Sequence, residues 1–270
     1  MILYLNKNGK NWLKNPINYK EPKRFPFIGK PGVKLGNKVL DKSLDYLELF
    51  FDSTLIKNIC DQSNIYEEQN EEEDWTEIKP KEMWKFLGMK ILMGLVVLPE
   101  ERSYWSEDEK FDFKYISSKM TRNRFMKIKQ YLNFSDNEMS PLLEDKNYKL
   151  SKILPVVKHL KKFQKYYTPE RDFIIDESMM KFKGSLGWKQ YFPLKVNKYG
   201  VKYFLLCESK SGYVYRFIIY VGKEKFYLPK YENNNIIDRY DLTLMDPLLG
   251  KGYFLTCENF YTNYHLEKTG

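Results

Sequence analysis

Two carboxylates stand where this chain could do chemistry. Asp176 closes the apolar run Phe173-Ile174-Ile175, and Glu258 follows a second strand-like run, Gly252 to Cys257. Carboxylate oxygens at the ends of neighbouring strands can hold Mg²⁺ while leaving coordination positions for phosphate and water, as in-line phosphoryl transfer requires. The stretch after Asp176 is rich in lysine and aromatic residues, which suits a nucleic-acid substrate. Strand-terminal acids occur in folds of every function, so spacing alone leaves a structural role open.

Lys183, Lys189, Lys195 and Lys198 could line a path for a DNA backbone, and a solvated hairpin edge would carry the same residues. Trp188, Tyr191 and Phe192 could stack on unpaired bases or pack in a core. Further back, Phe125, Ile128, Tyr131 and Leu132 recur at helical spacing, with Arg122, Arg124, Lys127 and Lys129 on the outer face. That basic face is compatible with phosphate contact, or with solubility alone. His159 and His265 are isolated and read as packing or capping residues. Cys60, Cys207 and Cys257 offer neither a disulfide framework nor a CxxC site, and read as core thiols in a reducing compartment.

These residues need elements to position them. Residues 1–42 read as a basic, weakly ordered arm, able to touch DNA loosely or without a role. One helix is expected over Leu44–Cys60, with Ser43 and Asp45 as capping candidates, and the acidic run Glu67–Asp74 as a solvated loop. A second helix should start at Pro80 and end at Pro99, its face made by Met83, Phe86, Leu87, Ile91, Gly94, Leu95 and Leu98. Helices over 120–132 and 153–166 complete an all-helical region, 43–168. Past Pro169 the period changes. Strands are expected at 172–176, 201–208 and 213–221, with a turn at Ser211-Gly212, then a helix over 235–249 and a strand at 252–257. A crossover through that helix would lay the last strand parallel to the first and bring Asp176 and Glu258 side by side. The fold class is α+β.

Composition bounds the rest. With 270 residues and 43% hydrophobic side chains, the chain can form one large or two medium domains. A net charge of +9 favours an anionic partner. The first five residues are too short for a signal-peptide core, and the longest apolar stretch, Ile91–Pro99, falls far below the roughly 20 residues that span a bilayer. A soluble intracellular protein without membrane contact is expected.

Blocks of residues also recur in a familiar order from about Leu44 onwards. They are Asn64-Ile65-Tyr66, Met93-Gly94 through Leu98-Pro99, Tyr104-Trp105, Met120-Thr121-Arg122-Asn123-Arg124-Phe125 and Leu132-Asn133-Phe134-Ser135-Asp136-Asn137. A denser set follows: Ile175-Asp176-Glu177-Ser178-Met179, Phe182-Lys183-Gly184, Gln190-Tyr191-Phe192-Pro193-Leu194-Lys195, Lys198-Tyr199-Gly200-Val201-Lys202, Ser211-Gly212-Tyr213 and Tyr220-Val221-Gly222. The ordered set resembles the piggyBac-type transposases and the host proteins derived from them.

That resemblance implies a helical dimerisation and DNA-binding domain over 43–168 and a ribonuclease H-like catalytic core, partial here, over 169–270. It also implies a nuclear location, transposon-end DNA as partner, and Mg²⁺ held by three acids. The first acid of the family falls on Asp176. The second falls in the block Thr256-Cys257-Glu258-Asn259-Phe260, where Glu258 replaces the family's aspartate and moves the oxygens by roughly 1.5 Å, one bond length. The third lies downstream of Gly270 in the family, and no family pattern places it at Glu267. The cysteine-rich zinc-binding tail is missing, and Val196 stands where proline is usual. The expectation is a truncated, transposase-derived DNA-binding protein that no longer cuts, with exposed apolar surface on one sheet face. Residual Mg²⁺-dependent nicking, and a non-catalytic interaction protein or decayed copy, are the alternatives.

Overall fold

The computed structural model describes residues 3–5, 11–13, 25–36, 39–71, 74–108, 111, 113–139, 145, 148–193, 198–222 and 226–257. In the first region β1 (Leu3–Leu5) pairs antiparallel with β2 (Asn11–Leu13). Residues 25–36 are docked rather than loose. β3 (Gly32–Val33) pairs with Tyr167 and Thr168, the Lys34 N–H donates to the Tyr166 carbonyl at 2.8 Å, and the Ile28 N–H donates to the Lys251 carbonyl at 3.3 Å.

The single helix expected over Leu44–Cys60 is two, α1 (Ser43–Glu48) and α2 (Ser53–Glu68). Asp52 makes the difference, because its carboxylate accepts the Leu55 N–H at 3.0 Å and so starts a new helix. Of the two capping candidates for α1, Asp45 serves, reaching back to the Lys42 N–H at 3.0 Å. α3 (Pro80–Leu95) begins with Pro80 in its first turn as expected, but stops short of Pro99. Its buried row is Met83, Phe86, Met89 and Met93, while Ile91 and Leu95 are exposed. The Tyr104 hydroxyl, on a 3₁₀ turn at Glu101–Trp105, sits against the Met93 and Val96 carbonyls and accepts the Leu98 N–H at 3.2 Å, which closes the helix end. After α4 (Lys114–Ser117) comes α5 (Arg122–Tyr131), capped by Thr121, with Phe125, Ile128 and Tyr131 buried. The rows of α2, α3 and α5 share one apolar core around Ile56, Phe86 and Phe125.

The helix expected over 153–166 is a 3₁₀ turn (Tyr148–Ile153), α6 (Leu154–Leu160) and α7 (Lys162–Tyr166). Pro155 lies in the first turn of α6 and fixes its start, since proline cannot donate to an upstream carbonyl. This segment joins the two halves: Val156 packs on the helical core, and Ile153 and Val157 pack on the sheet.

β4 (Tyr167–Thr168), the partner of β3, leads into a five-stranded sheet of β5 (Asp172–Lys181), β6 (Gln190–Tyr191), β7 (Tyr199–Glu208), β8 (Val214–Tyr220) and β9 (Phe254–Cys257). The order is β6-β7-β5-β9, with β8 also on β7. β5 pairs antiparallel with β7 from Phe173↔Glu208 to Lys181↔Gly200, and parallel with β9 from Asp172↔Phe254 to Ile175↔Cys257. It outlasts the expected 172–176 because β7 continues to pair with it. Gly200 permits this contact, since a Cβ there would lie 2.3 Å from the Met180 carbonyl oxygen.

α8 (Ile236–Met245) covers one face, packing Tyr240 and Leu244 on Phe173, Ile175, Phe204 and Leu206. The Phe204 and Tyr240 rings stack at 4.5 Å. Arg216 donates through Nη1 to the Thr243 and Leu244 carbonyls at 2.6 and 2.8 Å, satisfying orphan acceptors of the last turn. The helix ends earlier than Leu249 because Pro247 follows it, inside a 3₁₀ turn at Asp246–Leu248. Leu150, Ile153 and Val157 cover the β7–β8 part of the other face. The β5 part of that face is open. No helix among the described residues is long and apolar enough to cross a membrane.

Candidate active site

Asp176 lies in mid-strand, not at a strand end, and its position depends on where its neighbours stop. On one side β7 pairs with it through Leu205. On the other, the last described pair of β9 is Cys257 with Ile175, one residue before Asp176. Alternation along β5 buries Phe173 and Ile175 against α8 and leaves Ile174, Asp176, Ser178 and Met180 exposed on the opposite face. The Asp176 Oδ1 accepts the Glu177 N–H at 2.6 Å. No described lysine or arginine pairs with it. It is a solvent-facing carboxylate with no cation among the described residues holding it.

The adjacent acid is committed elsewhere. Glu177 accepts from Lys202 Nζ at 2.6 Å on the α8 side, and that ammonium also lies 4.6 Å from the Phe204 ring centroid. On the Asp176 side, burial and then the Asp176 charge push the Cys207 thiol up, so it is a poor nucleophile. Glu258 and Lys195 lie outside the described residues, as do Val196, His265 and Glu267. The structure therefore brings Asp176 together with no second described acid. Among the described residues no group of three histidines, cysteines or acids is placed to hold a metal ion. Asp176 alone fits a hard divalent cation by donor type.

The cations expected to contact DNA fall into two groups. Arg122, Lys183 and Lys198 are exposed. Arg124 is not free as expected: it donates through Nε and Nη2 to the two oxygens of Glu82 at 2.8 and 2.7 Å, and its guanidinium lies 5.1 Å from the Trp75 ring. A planar fork matched to a carboxylate on α3 is a tie between helices. Lys127 is half-buried and donates to the Asp74 carbonyl at 3.4 Å, so it too is drawn inward. Lys129, on the outer face of α5, pairs with Glu101, which also binds Lys90. Lys189 is half-buried, donates to the Gly184 carbonyl at 3.0 Å, and lies 5.5 Å from the Tyr199 ring. His159 faces Asp52 at 3.7 Å, a packing role as expected.

Three features had no signal in spacing. Glu208 is buried at the β7–β8 hairpin, accepting the Tyr167 hydroxyl at 2.8 Å, the Glu170 N–H at 2.6 Å and the Ser211 hydroxyl. Burial pushes its carboxyl up, but these hydrogen bonds and Lys210 outweigh burial and hold it low. Asp241 is fully buried on α8, and neither of its oxygens has a hydrogen-bond partner among the described residues. Burial, then the charge of Asp238, push it up to about 7. It borders Cys257 on the α8 side of the sheet, the face opposite Asp176, and so does not complete that site. Tyr199 is the third, set by the register against Tyr191.

Comparison with known proteins bears on the family and the fold. The sequence profile of the family described as Transposase IS4 matches residues 42–268. The human PiggyBac transposable element-derived protein 3 is 29% identical over 187 residues, 68% of this chain and 30% of that protein. The human PiggyBac transposable element-derived protein 2 is 29% identical over 169 residues, 62% of this chain and 27% of that one. This chain thus spans less than a third of the length of either relative. The fold matches a chain of the cryo-EM piggyBac transposase synaptic complex with hairpin DNA at a TM-score of 0.75 and 24% identity, covering 88% of this chain and 50% of that one. Since the profile runs through the helical core and the sheet alike, the chain belongs to the piggyBac-type transposase family.

Proposed function

We propose that this protein binds DNA through phosphate contacts and retains the first position of a metal-dependent strand-cleaving site, Asp176, while its cutting activity is impaired. The parallel register of β5 and β9 carries the reading. Were it to continue by one residue, Glu258 would come to lie against Asp176, and oxygen donors of this type suit Mg²⁺, which would supply Lewis-acid stabilisation of a phosphoryl group. Asp176 would hold the cation from a solvent-facing strand that α8 stiffens from behind. Glu258 adds a methylene where the family has aspartate, and a displacement of roughly one bond length is enough to spoil a site whose two metals stand about 3.5–4 Å apart. Arg122, Lys183 and Lys198 are the exposed cations assigned to phosphate contact, in a ribonuclease H-like sheet unit preceded by a helical unit that dimerises. Transposon-like duplex DNA is the expected partner and the nucleus the expected compartment.

Nicking of supercoiled plasmid with Mg²⁺ or Mn²⁺ tests this, comparing the native chain with Asp176→Ala and Glu258→Asp, and recording DNA binding in the same preparation over a salt series. Salt-sensitive binding with little or no nicking is expected, and any nicking should vanish in Asp176→Ala and rise in Glu258→Asp. Efficient nicking by the native chain would overturn the impairment. Failure to bind duplex DNA at any salt would overturn the whole reading.

A further inference from the structure

The cross-strand pair Tyr191↔Tyr199, where β6 meets β7, lies on the same sheet face as Asp176. Tyr199, Val201, Tyr203 and Leu205 share the side of β7 that carries the partner of Asp176. The two tyrosine rings are 4.8 Å apart and tilted by 37°. Yet they are 53% and 51% exposed, an unusual amount for large aromatic side chains on a sheet. A cross-strand aromatic pair steadies a short strand by itself. That role leaves each ring about half exposed, with Lys189 Nζ 5.5 Å from the Tyr199 centroid.

The surroundings select what those rings would meet. From Ser178 to Cys207 the chain carries no acid, against 36 acids in 270 residues overall, and six lysines, of which Lys202 lies on the α8 side paired with Glu177. Lys181, Lys183 and Lys198 are exposed, and Lys189 lies over Tyr199. Aromatic faces within an acid-free basic rim suit a strand that offers phosphates and unstacked bases together. A duplex offers its phosphates but keeps its bases stacked inside. The exposed residues Ser178 and Met180 continue the row of Asp176 toward this pair. Tyr199 lies six steps along β7 from Leu205, about 20 Å at the usual strand rise.

We infer that Tyr191 and Tyr199 form a stacking platform for unpaired bases of single-stranded DNA, about 20 Å along the sheet from Asp176. The inference rests on the DNA-binding reading above and adds a preference which that reading does not require. It explains why two aromatic rings stay exposed where a two-residue strand meets β7, and why the lysines around them have no acids among them in sequence.

The test uses the full chain and three fluorescent probes: a 20-nucleotide oligo-dT, an abasic strand of the same length, and a 20-base-pair duplex. The native protein should bind oligo-dT about tenfold more tightly than the abasic strand at equal salt, the size expected for one or two stacked bases. Tyr191→Ala/Tyr199→Ala should erase that ratio and leave duplex affinity unchanged, and Tyr191→Phe/Tyr199→Phe should keep it. The abasic comparison needs no variant, so it decides even if the alanine pair misfolds. Equal affinity for oligo-dT and abasic strand would overturn the platform while duplex binding upheld the broader reading. Loss of binding to all three probes would overturn both.

Discussion

Arg122 and Arg124 sit two residues apart on one helix and were indistinguishable by spacing. Only tertiary contact separates them, because the partner of Arg124 is Glu82, 42 positions away. Arg124→Ala should therefore cost about 2 kcal/mol of stability, since it leaves a half-buried carboxylate without its fork. Arg122→Ala should stay within about 0.5 kcal/mol of native and lower the salt slope of duplex binding by about one. Urea titration and a salt series on both variants check this, and matching profiles would refute it. Asp241 was equally invisible, a polar residue amid the apolar positions of a buried helix. Its folded carboxyl is raised from 3.8 to about 7, so the folded state keeps a proton that the unfolded chain releases from about pH 4 upward. Stability should fall as pH rises from about 4 to about 7 and then level off, by up to about 4 kcal/mol from this group. In Asp241→Asn that pH dependence should disappear, leaving a protein more stable than native at pH 8 by urea unfolding. Asp238 and Cys257 are the titratable groups coupled to it. An unchanged profile in Asp241→Asn would count against this account.

Among the elements, those with strong periodicity and a cap were legible, and the breaks between them were not. The buried face of α5 and the start of α3 at Pro80 follow from residue spacing and from proline chemistry. The break between α1 and α2 does not, because Phe50, Phe51 and Leu55 keep the helical period across it. Asp52 decides it, by capping α2, pairing with Lys162 on α7 and facing His159. Burial pushes the Asp52 carboxyl up, but the Lys162 contact and the Leu55 N–H outweigh burial and hold it below its ordinary value. Its contribution is then present at neutral pH and lost as pH falls through its depressed folded value, below about 4. Asp52→Ala should cost about 1–2 kcal/mol at pH 7, and Asp52→Asn less, because asparagine also caps. Thermal unfolding of the two variants measures it, and equal losses would point to the ion pair rather than the cap. The sheet shows a similar limit. Alternation gave the strand positions, while β5 ran on to Lys181 because a strand lasts as long as its neighbour pairs.

At the scale of the molecule, the parallel placement of β5 and β9 was legible from element order alone, since a strand returning through a crossover helix has few places to go. The joint between the halves was not. Residues 153–166 carry a lysine-rich helical pattern that reads as one more amphipathic helix with a basic outer face, yet neighbouring valines face different cores, Val156 the helical one and Val157 the sheet. The native chain should consequently unfold in a single transition in urea, by circular dichroism and tyrosine fluorescence alike. Val156→Asp/Val157→Asp should split it into two, because each core keeps its own buried residues. Coincident single transitions in that double variant would show that the halves are coupled through other contacts.

β9 has a second attachment, made by the opening residues of the chain. Gly252, at φ +76°, lies so close to Pro26 that a Cβ would sit 2.4 Å from the proline carbonyl oxygen, and Phe27 meets the Tyr253 ring edge-on at 5.0 Å. A shortened protein beginning at α1, the natural choice for anyone trimming a basic leader to improve expression, would lose this brace. The strand it steadies is the one that leads into Glu258. Loss of DNA cleavage or metal binding in such a fragment would report a displaced strand, and assays of catalytic competence therefore need the first forty residues left in place.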